Sequence, residues 1–231
     1  MYWTEDIDSN KKHEASDDIV DISFKLDCKS LPVDHAQALS NAIHDALPWF
    51  GDEDLTGLHL IHVAESGNGW MRPQDTENEV LCLSRRTRMT LRIPKHRIED
   101  AHQLTGARLN INGHDLTVKE GTNKKLSIMP TMFARYVLTQ ASMDETDENE
   151  FLKQMVSILR DMDIPVTKMM AGKQNRMHMQ NGDIFCRSLM VAELVPENAM
   201  KLQMLGIGDG RRYGCGLFVP QKGISAVNSD D

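Results

Sequence analysis

The feature that most constrains this chain is an order of elements that runs through once and then starts again. Asp17 to Cys28 alternates apolar and polar residues and is rich in β-branched ones, which predicts a strand. Leu31-Pro32-Val33 then leads into a helix predicted from His35 to Leu47, with Asp34 as N-cap, Gln37 completing a capping box and Pro48 as the stop. Strands are predicted at Leu58–Ala64 and Arg86–Ile93, a helix over Pro94–Leu104 ended by Gly106, and a hairpin from Ala107 to Val118 turning at Asn112-Gly113. From Phe133 the order returns: strand Phe133–Thr139, amphipathic helix Glu148–Met162, strands near Val166–Met170 and at Ile184–Glu193, a short helix Pro196–Leu205, and a last strand Leu217–Pro220. Each run reads β-α-β-β-α-β. Duplicated, this split βαβ predicts an α+β fold of two tandem ferredoxin-like (RRM-like) halves, each an antiparallel four-stranded sheet with two helices on one face. The expected halves are residues 17–125 and 131–223, after an acidic, flexible tail over 1–16.

The charge distribution narrows what such a fold does here. The net charge of −8 is unusual for a nucleic-acid binder, but it is very uneven. Met1–Ile19, Met143–Glu150 and Asn228–Asp231 together carry −11, which leaves the rest of the chain at +3. Between Leu81 and Tyr136, eleven lysines and arginines face four acids. A basic middle of this kind is either a solvated surface or a phosphate-binding one. Cys28, Cys82, Cys186 and Cys215 are far apart, with no metal-ligand spacing, and read as reduced core thiols; neither a metal nor a cofactor is expected. No apolar run approaches the roughly 20 residues of a membrane span, and MYWTEDIDSN lacks the basic and apolar regions of a secretory signal, so the expected location is cytoplasmic.

Five of the chain's 15 glycines fall within Gly206-Ile-Gly-Asp-Gly-Arg-Arg-Tyr-Gly-Cys-Gly216. That density lets backbone amides approach a phosphate closely, with Arg211 and Arg212 adding charge. The loop follows a helix and opens a strand, which is the reverse of a dinucleotide fingerprint, and it lacks the GK[ST] of a P-loop. A flexible connector is the alternative, but it gives no reason for two adjacent arginines framed by glycines.

A glycine-rich loop before the last strand of a duplicated ferredoxin-like chain resembles the CRISPR-associated repeat-processing endoribonucleases, the Cas-six family. LPVDHAQAL, GARLNINGHDLTV and GIGDGRRYGCGLFVP are similar to one subfamily, the Cas-six/Cmx-six type, and the resemblance runs from about Asp17 to Gly223. It implies metal-independent cleavage of precursor CRISPR RNA within each repeat. In that reaction a ribose 2′-hydroxyl attacks the adjacent phosphate, leaving a 2′,3′-cyclic phosphate and a 5′-hydroxyl. The implied partners are CRISPR repeat RNA, as a stem-loop or single strand, and other subunits of a Cascade-like effector complex. Such chemistry needs a base, an acid and a cation beside the phosphate.

The family commonly places a catalytic histidine or tyrosine late in the first helix, in a stretch like AIHDAL, and His44 occupies that place. On a helical wheel Leu39, Ala42, Ile43, Ala46 and Leu47 form the apolar stripe, while Gln37, Ser40 and His44 line a polar flank. His44 also lies in the last turn, where the helix dipole favours a cationic side chain. His35, its rival, falls in the first turn on the apolar side, which suits a structural role better. His59 and His62 alternate poorly with one face, and His178 reads as a hairpin residue. Lys173 and Arg176, or Lys124 and Lys125, are the candidate cations. Arg85, Arg86 and Arg88 are expected on the RNA backbone together with Gly206, Gly208, Gly210, Arg211, Arg212, Gly214 and Gly216. Trp70 and Tyr213 are candidate base-stacking rings. Two other readings remain open from the residues: a non-catalytic RNA-binding subunit of the same superfamily, and a small-molecule enzyme built on ferredoxin-like halves.

Overall fold

The computed structural model describes residues 18–63, 79–139, 148–180 and 182–222. The acidic tail, Trp70, most of the acidic loop before the third helix, and Gly223 lie outside them. The first half contains β1 (Ile19–Asp27), β2 (Ser30–Pro32), α1 (Ala36–Ala46), β3 (Gly57–His59), β4 (Val80–Cys82), β5 (Arg88–Pro94), α2 (Ile98–His102), β6 (Arg108–Ile111) and β7 (His114–Lys125). The second contains β8 (Met132–Leu138), α3 (Glu148–Asp161), β9 (Lys168–Met177), β10 (Ile184–Ala192), α4 (Pro196–Leu205) and β11 (Phe218–Pro220).

The sheets are ordered β3-β5-β1-β7-β6 and β11-β8-β10-β9, and every pairing in them is antiparallel. Each contains the interleaved order of a ferredoxin-like unit, with the first strand inside and the fourth beside it. The alternation along β1 explains its central place: Val20, Ile22 and Phe24 point into the core formed with Leu39 and Ile43 of α1. A second core joins Phe151, Met155 and Leu159 of α3 to Met132, Ala134, Leu189 and Phe218. The predicted Asn112-Gly113 turn is present, with φ of 50° and 86°, the pair of positive values that a tight two-residue hairpin turn requires.

Several expectations change. The first sheet has five strands rather than four, because β6 adds to its edge and β2 pairs separately with β4. The strand expected over Leu58–Ala64 ends at His59, and the backbone N–H of Ile61 donates to His35 instead of a neighbouring strand. The helix expected over Pro94–Leu104 is a 3₁₀ turn at Lys95–Arg97 followed by the short α2. The capping box does not form: Asp34 Oδ2 accepts from His178 N at 2.9 Å, and Gln37 Nε2 donates to Asn41 Oδ1 at 2.9 Å. Asp34 thus joins the two halves rather than starting its helix.

Cys186 and Cys215 lie in the core as expected, but Cys28 is half-buried and Cys82, on the short edge strand β4, is exposed. Over β5, the face of the first sheet opposite its helices is covered by the second half. Arg92 there is 0% exposed, covered by backbone of the second half. Among the described residues no helix is long and apolar enough to cross a membrane.

Candidate functional site

His44 stands at the C-terminal turn of α1 with an exposed side chain, while Leu39, Ile43 and Leu47 bury the opposite stripe. Ser40, expected on the same polar flank, is buried. Pro48 turns the chain into a 3₁₀ segment, Pro48–Gly51, which brings Gly51 back under the His44 ring. His35 is a different object. It is 2% exposed, its Nε2 accepts from Ile61 N at 3.1 Å, and Nδ1 therefore carries the proton and donates to Pro32 O at 2.9 Å. Both ring nitrogens are committed to backbone, as a fold-holding residue requires.

The glycine-rich loop is a closed hoop. Ile207 N donates to Gly216 O at 3.1 Å, and a Cβ on Gly216 would lie 2.1 Å from Ile207 O, so only glycine allows the two ends to touch. Its middle, the 3₁₀ turn Arg211–Tyr213, packs against β3 and α1, which brings the loop to the helix that carries His44.

The two loop arginines are used differently. Arg212 is exposed, with its guanidinium 4.6 Å from the centroid of the Tyr213 ring. Arg211, expected on RNA, turns inward and donates to Thr56 O at 2.9 Å, Leu55 O at 2.8 Å and Leu205 O at 2.7 Å. Burial, together with the like charge of Arg92, lowers its pKa to about 10, so it stays charged near neutrality. Arg211 therefore buckles the loop to the first half. Replacing it with methionine leaves three carbonyls without their charged donor, and stability to urea should fall by about 2–3 kcal/mol.

Behind the loop lies a buried ionic group that the sequence pattern did not single out. Arg92 pairs in bidentate fashion with Asp21, Nε to Oδ1 at 2.8 Å and Nη2 to Oδ2 at 2.9 Å, and its Nη1 donates to Gln203 O at 2.8 Å and Phe218 O at 2.9 Å. Burial works to raise the Asp21 pKa, but the Arg92 guanidinium outweighs it and holds the carboxyl well below the usual range. His59 Nε2 lies 3.8 Å from Asp21 Oδ1, beyond hydrogen-bond reach, and burial pushes the His59 pKa down. The signal that points to this pair is one opposite charge in each of two otherwise uncharged stretches, IVDISF and MTLRIP.

The remaining candidates are dispersed. Arg85 and Arg86 are exposed on the turn between β4 and β5, and Arg88 braces that turn by donating to Arg85 O and Thr87 O, each at 2.8 Å. Lys124 and Lys125 are exposed near the end of β7. Arg176 is exposed at the end of β9, with Nε 3.5 Å from Asp183 Oδ2; that carboxylate also holds His178 Nδ1 at 2.7 Å. The side chain of Lys173 lies outside the described part of the structure. His62 packs near Tyr136, with ring centroids 5.9 Å apart. Of the predicted residues, the fold brings the glycine-rich loop to the His44 helix.

Known proteins share this architecture. A solved structure described as CRISPR associated protein Cas6 superposes with a TM-score of 0.58 at 13% identity, covering 88% of this chain and 100% of that one. A Cas6-related protein from Pyrococcus furiosus gives 0.56 at 15% identity over 87% and 97% of the two chains. A RAMP protein described as binding different RNA substrates gives 0.57 at 15% identity over 87% and 98%. At such identities these three speak for the fold. At the level of sequence, the CRISPR-associated endonuclease Cas6 of Myxococcus xanthus (strain DK1622) is 28% identical over 210 residues, 91% of this chain and 85% of that protein. The family model described as Cas6 Crispr matches residues 20–223, nearly the whole of both sheets and the hoop between α4 and β11, and the chain belongs to the Cas6 family.

Proposed function

We propose that this protein is an endoribonuclease that cuts precursor CRISPR RNA within its repeats, without a metal, by attack of a ribose 2′-hydroxyl on the adjacent phosphate. The observation that carries the reading is the packing of the glycine hoop on the first helix: the segment holding Arg212 lies against α1, whose last turn carries the exposed His44. The Myxococcus xanthus relative, named as an endonuclease, and the fold shared with an RNA-binding RAMP protein support it.

In this reading His44 exchanges a proton with the reacting oxygens, either taking it from the 2′-hydroxyl or giving it to the departing 5′-oxygen. Arg212, with its guanidinium 4.6 Å from the Tyr213 ring centroid, presents its donors to the phosphate as negative charge builds there. The products are a 2′,3′-cyclic phosphate and a 5′-hydroxyl, and the balance is internal: the attacking oxygen forms the bond that the leaving oxygen gives up. The cut repeat then stays bound, within an effector complex of the Cascade kind.

Arg85, Arg86, Lys124 and Lys125 contribute sequence-independent contacts to the RNA backbone. The test of this part is the salt dependence of binding. Repeat-RNA affinity should fall steeply with salt, and Arg85→Ala with Arg86→Ala should make the log–log slope shallower by roughly 0.7 for each phosphate that is no longer neutralised. An unchanged slope would remove these residues from the interface. The reading as a whole is tested by incubating the protein with the repeat RNA of its own locus and with a scrambled control. One cut at a fixed position in the repeat alone is expected, and binding without cutting would replace the enzyme with an RNA-binding subunit.

A further inference from the structure

Gly51 lies directly against His44. A Cβ built on Gly51 would stand 3.0 Å from His44 Nδ1 and 3.3 Å from Cε1, and no other side chain comes within 4 Å of that point apart from its chain neighbours. The bare Cα therefore faces the Nδ1–Cε1 edge of the imidazole, while Nε2 lies farther off. Gly51 is absent from the residues with positive φ, so its backbone does not call for glycine. What calls for glycine here is the space taken by the ring.

The wall that Gly51 belongs to is held from several directions. Phe50 is buried in the core, and its carbonyl accepts from Thr56 Oγ1 at 2.7 Å; the same hydroxyl lies 3.0 Å from Glu53 O. Arg97 donates to Glu53 Oε2 at 2.7 Å, and its guanidinium sits 5.1 Å from the centroid of the Trp49 ring. Leu55, at a φ of 61° that is uncommon for a leucine, and Thr56 offer their carbonyls to Arg211 of the glycine hoop. The turn is thus fastened to the core on one side and to the hoop on the other. A methyl group added at Gly51 would meet a fixed backbone on one side and the exposed His44 ring on the other, and the ring is the part that gives.

We infer that Gly51 is a positioning residue: its missing side chain seats the His44 ring and fixes the direction in which Nε2 meets the RNA. The inference rests on the catalytic reading of His44 above. It also gives the glycine hoop a second task, since Arg211 braces the segment on which the seat is built.

The test is single-turnover cleavage of repeat RNA by the full-length wild-type protein and by Gly51→Ala, His44→Ala and the double variant, with RNA affinity and thermal unfolding measured on each. Gly51→Ala should slow cleavage about tenfold, in line with the sensitivity of reaction rates to displacement of a catalytic group, and leave affinity and unfolding temperature unchanged. In the His44→Ala background the same substitution should change nothing further, because its effect passes through the ring. A wild-type rate in Gly51→Ala, or a loss matched by weaker binding or a lower unfolding temperature, overturns the positioning role while leaving His44 its own. A His44→Ala variant that cuts as fast as wild type overturns the catalytic reading itself, and the positioning role with it.

Discussion

His44→Ala should cleave repeat RNA about 10²- to 10⁴-fold more slowly than wild type in single-turnover conditions, the range expected when one proton-transfer group is lost. Repeat-RNA affinity should stay within about twofold, because the side chain is exposed and forms no part of the core. Stability should be nearly unchanged for the same reason. His35→Ala should behave in the opposite way. That ring links Ile61 N to Pro32 O inside the core, so its loss should reduce stability first, and activity only as the fold fails. Comparing the two variants by rate and by unfolding separates a catalytic role from a structural one.

The second large effect belongs to Arg92. Replacing it with methionine strands the Asp21 carboxylate and two carbonyls of the second half, and should cost about 3–5 kcal/mol of stability in chemical denaturation. The same group sets the acid response. His59, with a folded pKa below its unfolded value of about 6.5, costs more to protonate in the folded protein than in the unfolded chain. Its contribution is therefore complete above about pH 6.5 and declines below it. Asp21, with its pKa held down by Arg92, contributes fully above the unfolded carboxylate value of about 4 and less as pH falls through that value toward the folded one. Stability should therefore fall in two acid steps. Arg92→Met should abolish the lower one, and a pH series of denaturation curves reads both.

Periodicity made much of this fold legible. The stripe along α3 and the alternation in β1, β8 and β10 are local properties, and these elements lie close to where the pattern put them. What escaped depends on contacts between distant parts of the chain. Asp34 has the residue type and position of an N-cap, yet it spends its carboxylate on His178, 144 residues away. Ile61 belongs to an apolar run that reads as strand, but its N–H goes to a histidine ring 26 residues earlier.

The site divides in the same way. Helix phase placed His44 on an accessible flank, and the structure has it exposed in the last turn of α1. The direction of the two loop arginines was not legible: Arg211 and Arg212 are neighbours among the same glycines, and the carbonyls of Leu55, Thr56 and Leu205 draw one of them inward. Gly51 gave no signal, since a lone glycine after a helix normally reads as a turn.

The measurement that bears most directly on the central claim is the end chemistry of repeat RNA cut by the wild-type protein in EDTA. A 2′,3′-cyclic phosphate on the upstream fragment and a 5′-hydroxyl on the downstream one are the predicted result, since only attack by the neighbouring 2′-oxygen leaves both. A 5′-phosphate on the downstream fragment, or cleavage that stops when EDTA is added, would contradict it and assign the reaction to a different nucleophile or to a metal ion.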